Sequence, residues 1–184
     1  MLIKQIVTIV ATFLNMPQVI NYLQNGQVSG NALEEIDALT RLTNLVISEL
    51  AVAGFYLVKS QTVTPLNGKI VYANLLERPI KIIKATDANG VEHPFTAHTE
   101  YLLTNDEVTE ITYAYSIYNE GLDSKITFED YRLTEVTIAM GVSAEYLLTQ
   151  NDFDNAVAWH DKFISALGKL RKVKNTTVKE RSFV

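Results

Sequence analysis

The spacing of hydrophobic residues changes twice along this chain. Before residue 60 and again after residue 128, apolar residues recur every three or four positions, which is typical of α-helices. Between these regions apolar and polar residues alternate in short runs, which is typical of β-strands. The pattern predicts an α+β fold: mainly a helical bundle, formed by N-terminal helices, a long helix and a C-terminal helical hairpin, with an inserted small antiparallel β-sheet. The predicted segments are 1–60, 61–128, 129–172 and a basic tail, 173–184.

Three helices are predicted in the first segment, at residues 2–14, 17–24 and 32–59. The first is apolar over most of its circumference, which indicates that it is buried on more than one side or packs against a partner. A signal peptide is the alternative, but Phe13-Leu-Asn-Met16 is a poor cleavage site, so the buried helix is favoured. Gly54 would weaken the long third helix locally, inside the helix.

The middle segment predicts strands joined by hairpin turns. Pro65-Leu-Asn-Gly68 and Asp87-Ala-Asn-Gly90 are the expected turns, because Asn and Gly tolerate the positive φ angles of tight hairpins. In the last strand Tyr113 and Tyr115 share one face with Ile111 and Ile117. The predicted strands are residues 61–64, 69–72, 79–86, 91–97 and 107–118.

The third segment predicts two antiparallel helices, since only a short turn separates them. Asn151 or Asp152 is the expected N-cap of the second helix. The first helix begins at about Glu129, and its expected apolar face is Leu133, Val136, Met140, Ala144 and Leu147. The expected apolar face of the second helix is Ala156, Trp159, Phe163, Ala166, Leu167 and Leu170.

Charge is distributed unevenly over the 184 residues. Residues 169–184 hold six basic residues and one acidic residue, a net charge of +5, whereas residues 1–168 hold 10 basic and 20 acidic residues, a net charge of −10. An acidic body is not typical of proteins that bind DNA phosphates. The basic end is either a solvated terminus or a segment that docks on an acidic partner.

The sequence contains none of the usual signatures of catalysis. There is no cysteine, so disulfides and thiolate metal sites are excluded. No phosphate-binding glycine loop and no Gly-x-Ser-x-Gly elbow occurs. We therefore expect a protein that is not an enzyme and that has no cofactor.

Two local clusters provide weaker chemical alternatives. His93 and His98, with Glu92 and Glu100 nearby, would form the centre of a small metal-binding enzyme, although two positions five apart face opposite sides of an unbroken strand. Glu145 lies among apolar residues, where a buried carboxylate needs a partner. A structural ion pair with Arg132 or Arg41 is favoured over a catalytic acid.

Five of the nine tyrosines lie in the predicted sheet region: Tyr72, Tyr101, Tyr113, Tyr115 and Tyr118. Tyr113, Tyr115 and Tyr118 are candidate interface aromatics, since such rings are enriched at protein interfaces. The alternative is a half-buried sheet face, for which tyrosine is equally suited. In the first case the chain would be another phage or surface interaction module that uses the Tyr-rich sheet.

Two stretches of the chain resemble the head–tail connector (adaptor) proteins of tailed bacteriophages and prophages. One is Leu45-Val-Ile-Ser-Glu-Leu-Ala-Val-Ala-Gly-Phe-Tyr56 with the strand and turn after it, through Ile83-Lys-Ala-Thr-Asp-Ala-Asn-Gly90. The other is Arg132-Leu-Thr-Glu-Val-Thr-Ile-Ala-Met-Gly-Val-Ser-Ala-Glu-Tyr146 with its helical partner up to Leu170. In such proteins a helical bundle is interrupted by β-strands, and the chain ends in a tail.

The resemblance implies a structural virion protein in the neck of the particle, which waits in the host cytoplasm during assembly. Its partners would be copies of itself in a ring, commonly twelvefold, together with the portal protein above and tail or neck proteins below. DNA would pass through the lumen without specific binding, and no membrane would be involved. The partner-binding residues of the tail would be Lys169, Arg171, Lys172, Lys174, Lys179, Arg181 and Phe183.

Overall fold

A computed structural model describes residues 1–116 and 120–174, with side chains as far as Arg171. In these residues the fold is α+β, as predicted: five α-helices accompany two small antiparallel sheets of three strands each. The helices are α1 (Ile3–Phe13), α2 (Pro17–Asn25), α3 (Ala32–Val52), α4 (Glu135–Thr149) and α5 (Phe153–Lys174). The strands are β1 (Leu57–Thr62), β2 (Lys69–Val71), β3 (Lys81–Thr86), β4 (Thr96–Ala97), β5 (Tyr101–Leu103) and β6 (Glu110–Tyr115).

The chain divides into two compact units, each built from segments that are separate in sequence. The helical unit consists of residues 1–46, 119–125 and 131–184. The sheet unit consists of residues 47–118 and 126–130.

In the helical unit, α1 is packed as a core element. Ile3, Ile6, Val7 and Val10 are fully buried, and α1 packs against α2 and α4. The backbone N–H groups of Ile3 and Lys4 donate to carbonyl oxygens of residues 124 and 122, at 3.2 and 2.8 Å. The first residues are thus fixed at both the backbone and the side chains.

The predicted ends of α2 are confirmed to within one residue. Pro17 is the first residue of α2, where its missing N–H costs no hydrogen bond. Gly26 follows α2 with a φ of +70°, and its N–H donates to the carbonyl oxygen of Tyr22 at 2.8 Å. This left-handed residue ends the helix because glycine adopts that conformation without a Cβ clash.

The first helix of the C-terminal hairpin was predicted incorrectly in two respects. It begins at Glu135 and not near Glu129, because the hydroxyl oxygen of Thr134 accepts a hydrogen bond from the Thr137 N–H and caps the helix. The predicted face is wrong at Val136, which is 43% exposed, whereas Leu133 and Ala144 are buried as predicted. The buried residues are mostly small ones: Thr137, Ile138, Ala139, Gly141, Val142, Ser143 and Ala144.

Helix α5 agrees with its predicted face and N-cap. Asp152 precedes the helix and accepts a hydrogen bond from the Asn155 N–H at 3.4 Å. Ala156, Phe163 and Leu167 are buried, and the other predicted positions are half-buried. The helix packs against α4, so the predicted helical hairpin is present. It continues to Lys174, two residues into the segment predicted as a tail.

The sheet unit contains the sheets β1-β6-β3 and β2-β5-β4, both antiparallel. Strand β6 is central in the first sheet, where Tyr113 is paired with Lys59 on one side and Ile82 on the other. Ile111, Tyr113 and Leu57 are fully buried and form the centre of this unit's core.

Three predictions about the sheet unit are corrected by the structure. Helix α3 ends at Val52 and not at residue 59, because Gly54 has a φ of +90° and the chain then enters β1. The turn at Asn67 and Gly68 has the expected positive φ angles, but β2 pairs with β5 and not with β1. Residues 91–97 were predicted as one strand, but only Glu92, in an isolated bridge, and the two residues of β4 pair with other strands. Strand β5 was not predicted.

Candidate interaction surface

The outer side of α5 carries a row of large apolar side chains that face solvent. Phe153, Val157 and Ile164 are 60%, 59% and 50% exposed. Their spacing of four and seven residues places them on one side of a helix, about a quarter turn from the buried face. We call Phe153, Val157 and Ile164 the α5 stripe.

A dent in the surface adjoins the α5 stripe. It has a volume of about 130 Å³ and is lined by Ala144, Leu148, Ala156, Val157 and His160. Leu148 is 43% exposed, so α4 extends the apolar surface beyond α5. A contiguous apolar surface of this kind is typical of a site where another polypeptide segment binds.

Charged residues flank the α5 stripe. Asp154 and Asp161 are exposed on α5, one helical turn or less from the stripe residues. Further along the helix Lys169 and Arg171 are exposed, so the sign of charge reverses toward the end of α5. The surface therefore combines an apolar row with an acidic edge.

The predicted partner-binding residues of the tail are only partly described. Lys169 and Arg171 lie on α5, and Lys172 and Lys174 belong to the same helix. Lys179, Arg181 and Phe183 lie outside the described residues. The α5 stripe was not recognised in the sequence, although its spacing was readable there.

The predicted interface aromatics of the sheet are core residues instead. Tyr113 is fully buried and Tyr115 is 3% exposed, so neither ring offers surface to a partner. The two rings pack edge to face with 6.3 Å between their centroids, and the Tyr113 hydroxyl donates to Gln61 Oε1 at 3.0 Å. Burial raises the pKa of the Tyr113 hydroxyl above its ordinary value. Tyr118 lies outside the described residues.

His93 belongs to a hydrogen-bonded cluster that joins two loops of the sheet unit. Asn105 Oδ1 accepts from the Glu107 N–H at 3.2 Å, so its Nδ2 donates to His93 Nδ1 at 2.7 Å. This polarity leaves the imidazole proton on Nε2, which is 3.5 Å from Asp87 Oδ2. The other carboxylate oxygen of Asp87 accepts from the N–H groups of Val91 and Asn89, which hold the pKa of Asp87 below its ordinary value.

The two histidines of the metal alternative are engaged differently. His98 is exposed and stacks on Tyr101 with 4.5 Å between ring centroids, while His93 bonds to Asn105. Among residues 1–116 and 120–174, no group of three or more His, Asp or Glu side chains is arranged to hold a metal ion.

The predicted ion pair of Glu145 with Arg41 is not formed. Arg41 pairs instead with Asp37, one turn earlier on α3, at 2.9 Å. Glu145 is half-buried and has no ion pair within the part of the chain that the structure describes. A carboxylate that does join two helices is that of Glu35 on α3, which accepts a hydrogen bond of 2.6 Å from the hydroxyl of Tyr146 on α4.

The sheet unit also has a shallow groove of about 570 Å³, between residues 71–78 and the segment at Thr99 and Glu100. Its lining includes Arg78 and Glu100, but neighbouring apolar residues supply most of the surface. Tyr72 borders the groove, and burial raises the pKa of its hydroxyl.

None of the helices in the described ranges is both long enough and apolar enough to span a lipid bilayer. The sequence was also compared with known proteins. No protein family matches this chain, and no curated protein matches it either.

Proposed function

We propose that this protein is a head–tail connector (adaptor) subunit of a tailed bacteriophage or prophage. Copies of the chain would form a ring beneath the portal and extend the DNA channel toward the tail. The observation that supports the proposal is the order of elements. Helices from both halves of the chain form one unit, and the strands between them form another, as the resemblance of the two quoted stretches implies.

Exposed apolar side chains in both units suit ring assembly. In the sheet unit Leu66 and Leu76 are 77% and 72% exposed, and in the helical unit Tyr131 is 90% exposed. In a ring, one face of each subunit meets a different face of the next, so two separate contact surfaces are needed. Exposed large side chains in both units meet this requirement.

The charge distribution suits the proposed position in the virion. Residues 1–168 carry a net charge of −10, which would let DNA slide through a lumen without binding to it. The net charge of +5 in residues 169–184 would favour docking on an acidic surface of the portal protein.

Native mass spectrometry of the chain with and without the portal protein encoded in the same genome tests the proposal. The expected result is a complex in which a ring of this chain, twelvefold in the commonest case, is bound to the portal. The absence of any complex over a range of salt concentrations would overturn the proposed function.

A truncation to residues 1–174 tests the role of the tail separately. It keeps every residue of α5 that the structure describes, so we expect the truncated chain to fold, as far-UV circular dichroism would show. The truncated chain lacks Lys179, Arg181 and Phe183 but keeps Lys169, Arg171, Lys172 and Lys174, so we expect it to bind the portal protein more weakly than the full chain does. Portal binding by residues 1–174 at full strength would refute the tail's role while leaving the ring proposal standing.

A further inference from the structure

We propose that the last ten residues of this chain, 175–184, bind back onto the α5 stripe of the same chain, with the Phe183 ring in the dent beside Val157. The site is the exposed apolar surface formed by Phe153, Val157 and Ile164. The occupant is an apolar and basic segment of known sequence, Asn175-Thr-Thr-Val-Lys-Glu-Arg-Ser-Phe-Val184. The inference does not depend on the connector function.

The size of the dent matches a single aromatic ring. Its volume is about 130 Å³, and its lining is almost entirely apolar. For comparison, an apolar cavity of about 150 Å³ holds one benzene molecule. Within residues 175–184 the aromatic residue is Phe183, whose ring is of the size that the dent accepts.

The length of the segment allows this contact within one chain. Val157 precedes Lys174, where the described part of α5 ends, by seventeen residues. At the helical rise of 1.5 Å per residue this distance is about 26 Å. Nine further residues lead to Phe183, and a chain of nine residues spans up to about 30 Å when extended. The ring therefore reaches the dent only if the segment runs back along α5.

Charges are complementary at the far end of this path, beyond the exposed basic residues Lys169 and Arg171. In a segment that runs back along α5, Arg181 lies two residues before Phe183. It is therefore about 7 Å nearer to the C-terminal end of α5 than Phe183 is. This distance corresponds to between four and five residues of helix, which places Arg181 beside Asp161 when Phe183 is at Val157. Asp161 is exposed and borders the stripe. The pairing of a basic residue with an acidic edge fixes the direction of the segment.

Disulfide trapping tests the proposal cleanly, because the natural chain has no cysteine. The variant V157C/V184C keeps Phe183 and replaces valines by the small apolar cysteine. The matched control is A158C/V184C, in which the helix position has nearly the same reach but lies about 100° around α5. Residues 157 and 158 are both exposed, so both variants are expected to fold.

We expect the V157C/V184C pair to form an intrachain disulfide at least tenfold faster than the control pair. Adding F183A to V157C/V184C should lower its rate to that of the control. Equal rates for the two pairs would overturn the proposal, because a segment without a fixed position samples both faces equally. Disulfide-linked dimers of the single variant V157C would overturn it too, since the occupant would then be a second copy.

A second measurement avoids engineered cysteines altogether. The side-chain methyl signals of Val157 and Ile164 are compared by NMR between the full chain and residues 1–174. The expected result is a shift of both signals on truncation, with no shift at the buried Val46 as an internal control. Unchanged Val157 and Ile164 signals would overturn the inference.

Discussion

Gly141 shows how closely α4 is packed within the helical unit. A Cβ atom at this position would lie 3.1 Å from Val46 Cγ1 and 3.2 Å from two ring carbons of Phe163. These distances are shorter than ordinary contacts, and both neighbours are themselves buried. The small residue is therefore required by the approach of α3 and α5 to α4.

We expect Gly141→Ala to lower the free energy of unfolding by about 1–2 kcal/mol, because overpacking outweighs the better helix propensity of alanine. Urea unfolding followed by circular dichroism measures the change. Gly168→Ala is the matched control, since α5 has open space there and alanine should stabilise the helix by about 0.5–1 kcal/mol. An equal effect of the two substitutions would contradict this account of the packing.

The contact between Tyr146 and Glu35 leads to a prediction about how the stability of the fold changes at alkaline pH. Burial and the nearby Glu35 carboxylate raise the pKa of the Tyr146 hydroxyl well above its ordinary value of about 10. Above pH 10 the unfolded chain releases this proton first, so the unfolded state becomes favoured as pH rises. The stability that Tyr146 contributes is thus fully present below pH 10 and is lost toward the folded-state pKa.

Tyr146→Phe removes the hydrogen bond of 2.6 Å and should cost about 1 kcal/mol at pH 7. The difference between the natural chain and Tyr146→Phe should shrink as the pH is raised above 10, as measured by urea unfolding at each pH. Glu35→Gln is the comparison variant. It keeps an acceptor oxygen for the Tyr146 hydroxyl, so it should lower the stability less than Tyr146→Phe does. A difference that stays constant up to pH 12 would show that the shift in pKa is not coupled to folding.

The end of α3 is decided by a single residue and by the strand that follows it. The N–H of Phe55 donates to the carbonyl oxygen of Leu50 at 2.8 Å, across Gly54 with its φ of +90°. This arrangement closes the last helical turn. It also directs Phe55 and Leu57 into the core of the sheet unit, where they are 4% and 0% exposed.

Gly54→Ala should destabilise the protein by about 1 kcal/mol, since a Cβ atom is strained at positive φ even where space is open. Thermal unfolding monitored by circular dichroism detects a change of this size. Gly121→Ala, which also has open space but no positive φ, is expected to be nearly neutral. If both substitutions behave alike, the conformation of Gly54 is not what ends α3.

Elements with strong local signals could be predicted, whereas those set by distant pairing could not. Helix α2 was predicted to within one residue, since proline suits its first position and glycine its end, and a clear apolar period marked α5. The pairing of β1 with β6 joins segments about fifty residues apart, which no local pattern reveals. The three residues of β5 are too few for an alternating pattern. On α4 small residues such as Gly141 and Ser143 are buried, so a face chosen from the large residues missed part of the buried surface.

The candidate surface was predictable only in part, for similar reasons. The spacing of the α5 stripe is visible in the sequence, but exposure is a property of the packed hairpin. The tyrosines of β6 fit both a core and an interface, and only the position of β6 in the middle of its sheet distinguishes these possibilities. The Tyr146–Glu35 contact spans 111 residues and leaves no trace in local sequence.

At the scale of the whole molecule, α1 is an integral part of the helical unit. Several of its side chains are completely buried, and Leu2 forms a β-bridge with Lys125. Burial of each large apolar side chain contributes roughly 1.5–3 kcal/mol. Together these contributions are comparable with the net stability of an ordinary domain.

Deletion of residues 1–16 should therefore unfold the helical unit. We expect a large loss of helical signal in far-UV circular dichroism, and loss of the near-UV signal of Trp159, which stacks on Phe13 at 4.7 Å. Substitution of the exposed Thr12 by serine is a suitable comparison, with no change in either spectrum expected. A deletion variant that kept native spectra would mean that α1 is an accessory arm.

The order of segments has a consequence for how the protein folds during synthesis. The sheet unit ends at residue 130, so all of it leaves the ribosome before α4 and α5. The buried faces of α1 and α3 must therefore wait for partners that are translated last. In a cell, the apolar faces of α1 and α3 would stay exposed on the nascent chain until the last helix is made. Binding of a chaperone to these faces during synthesis would therefore be advantageous.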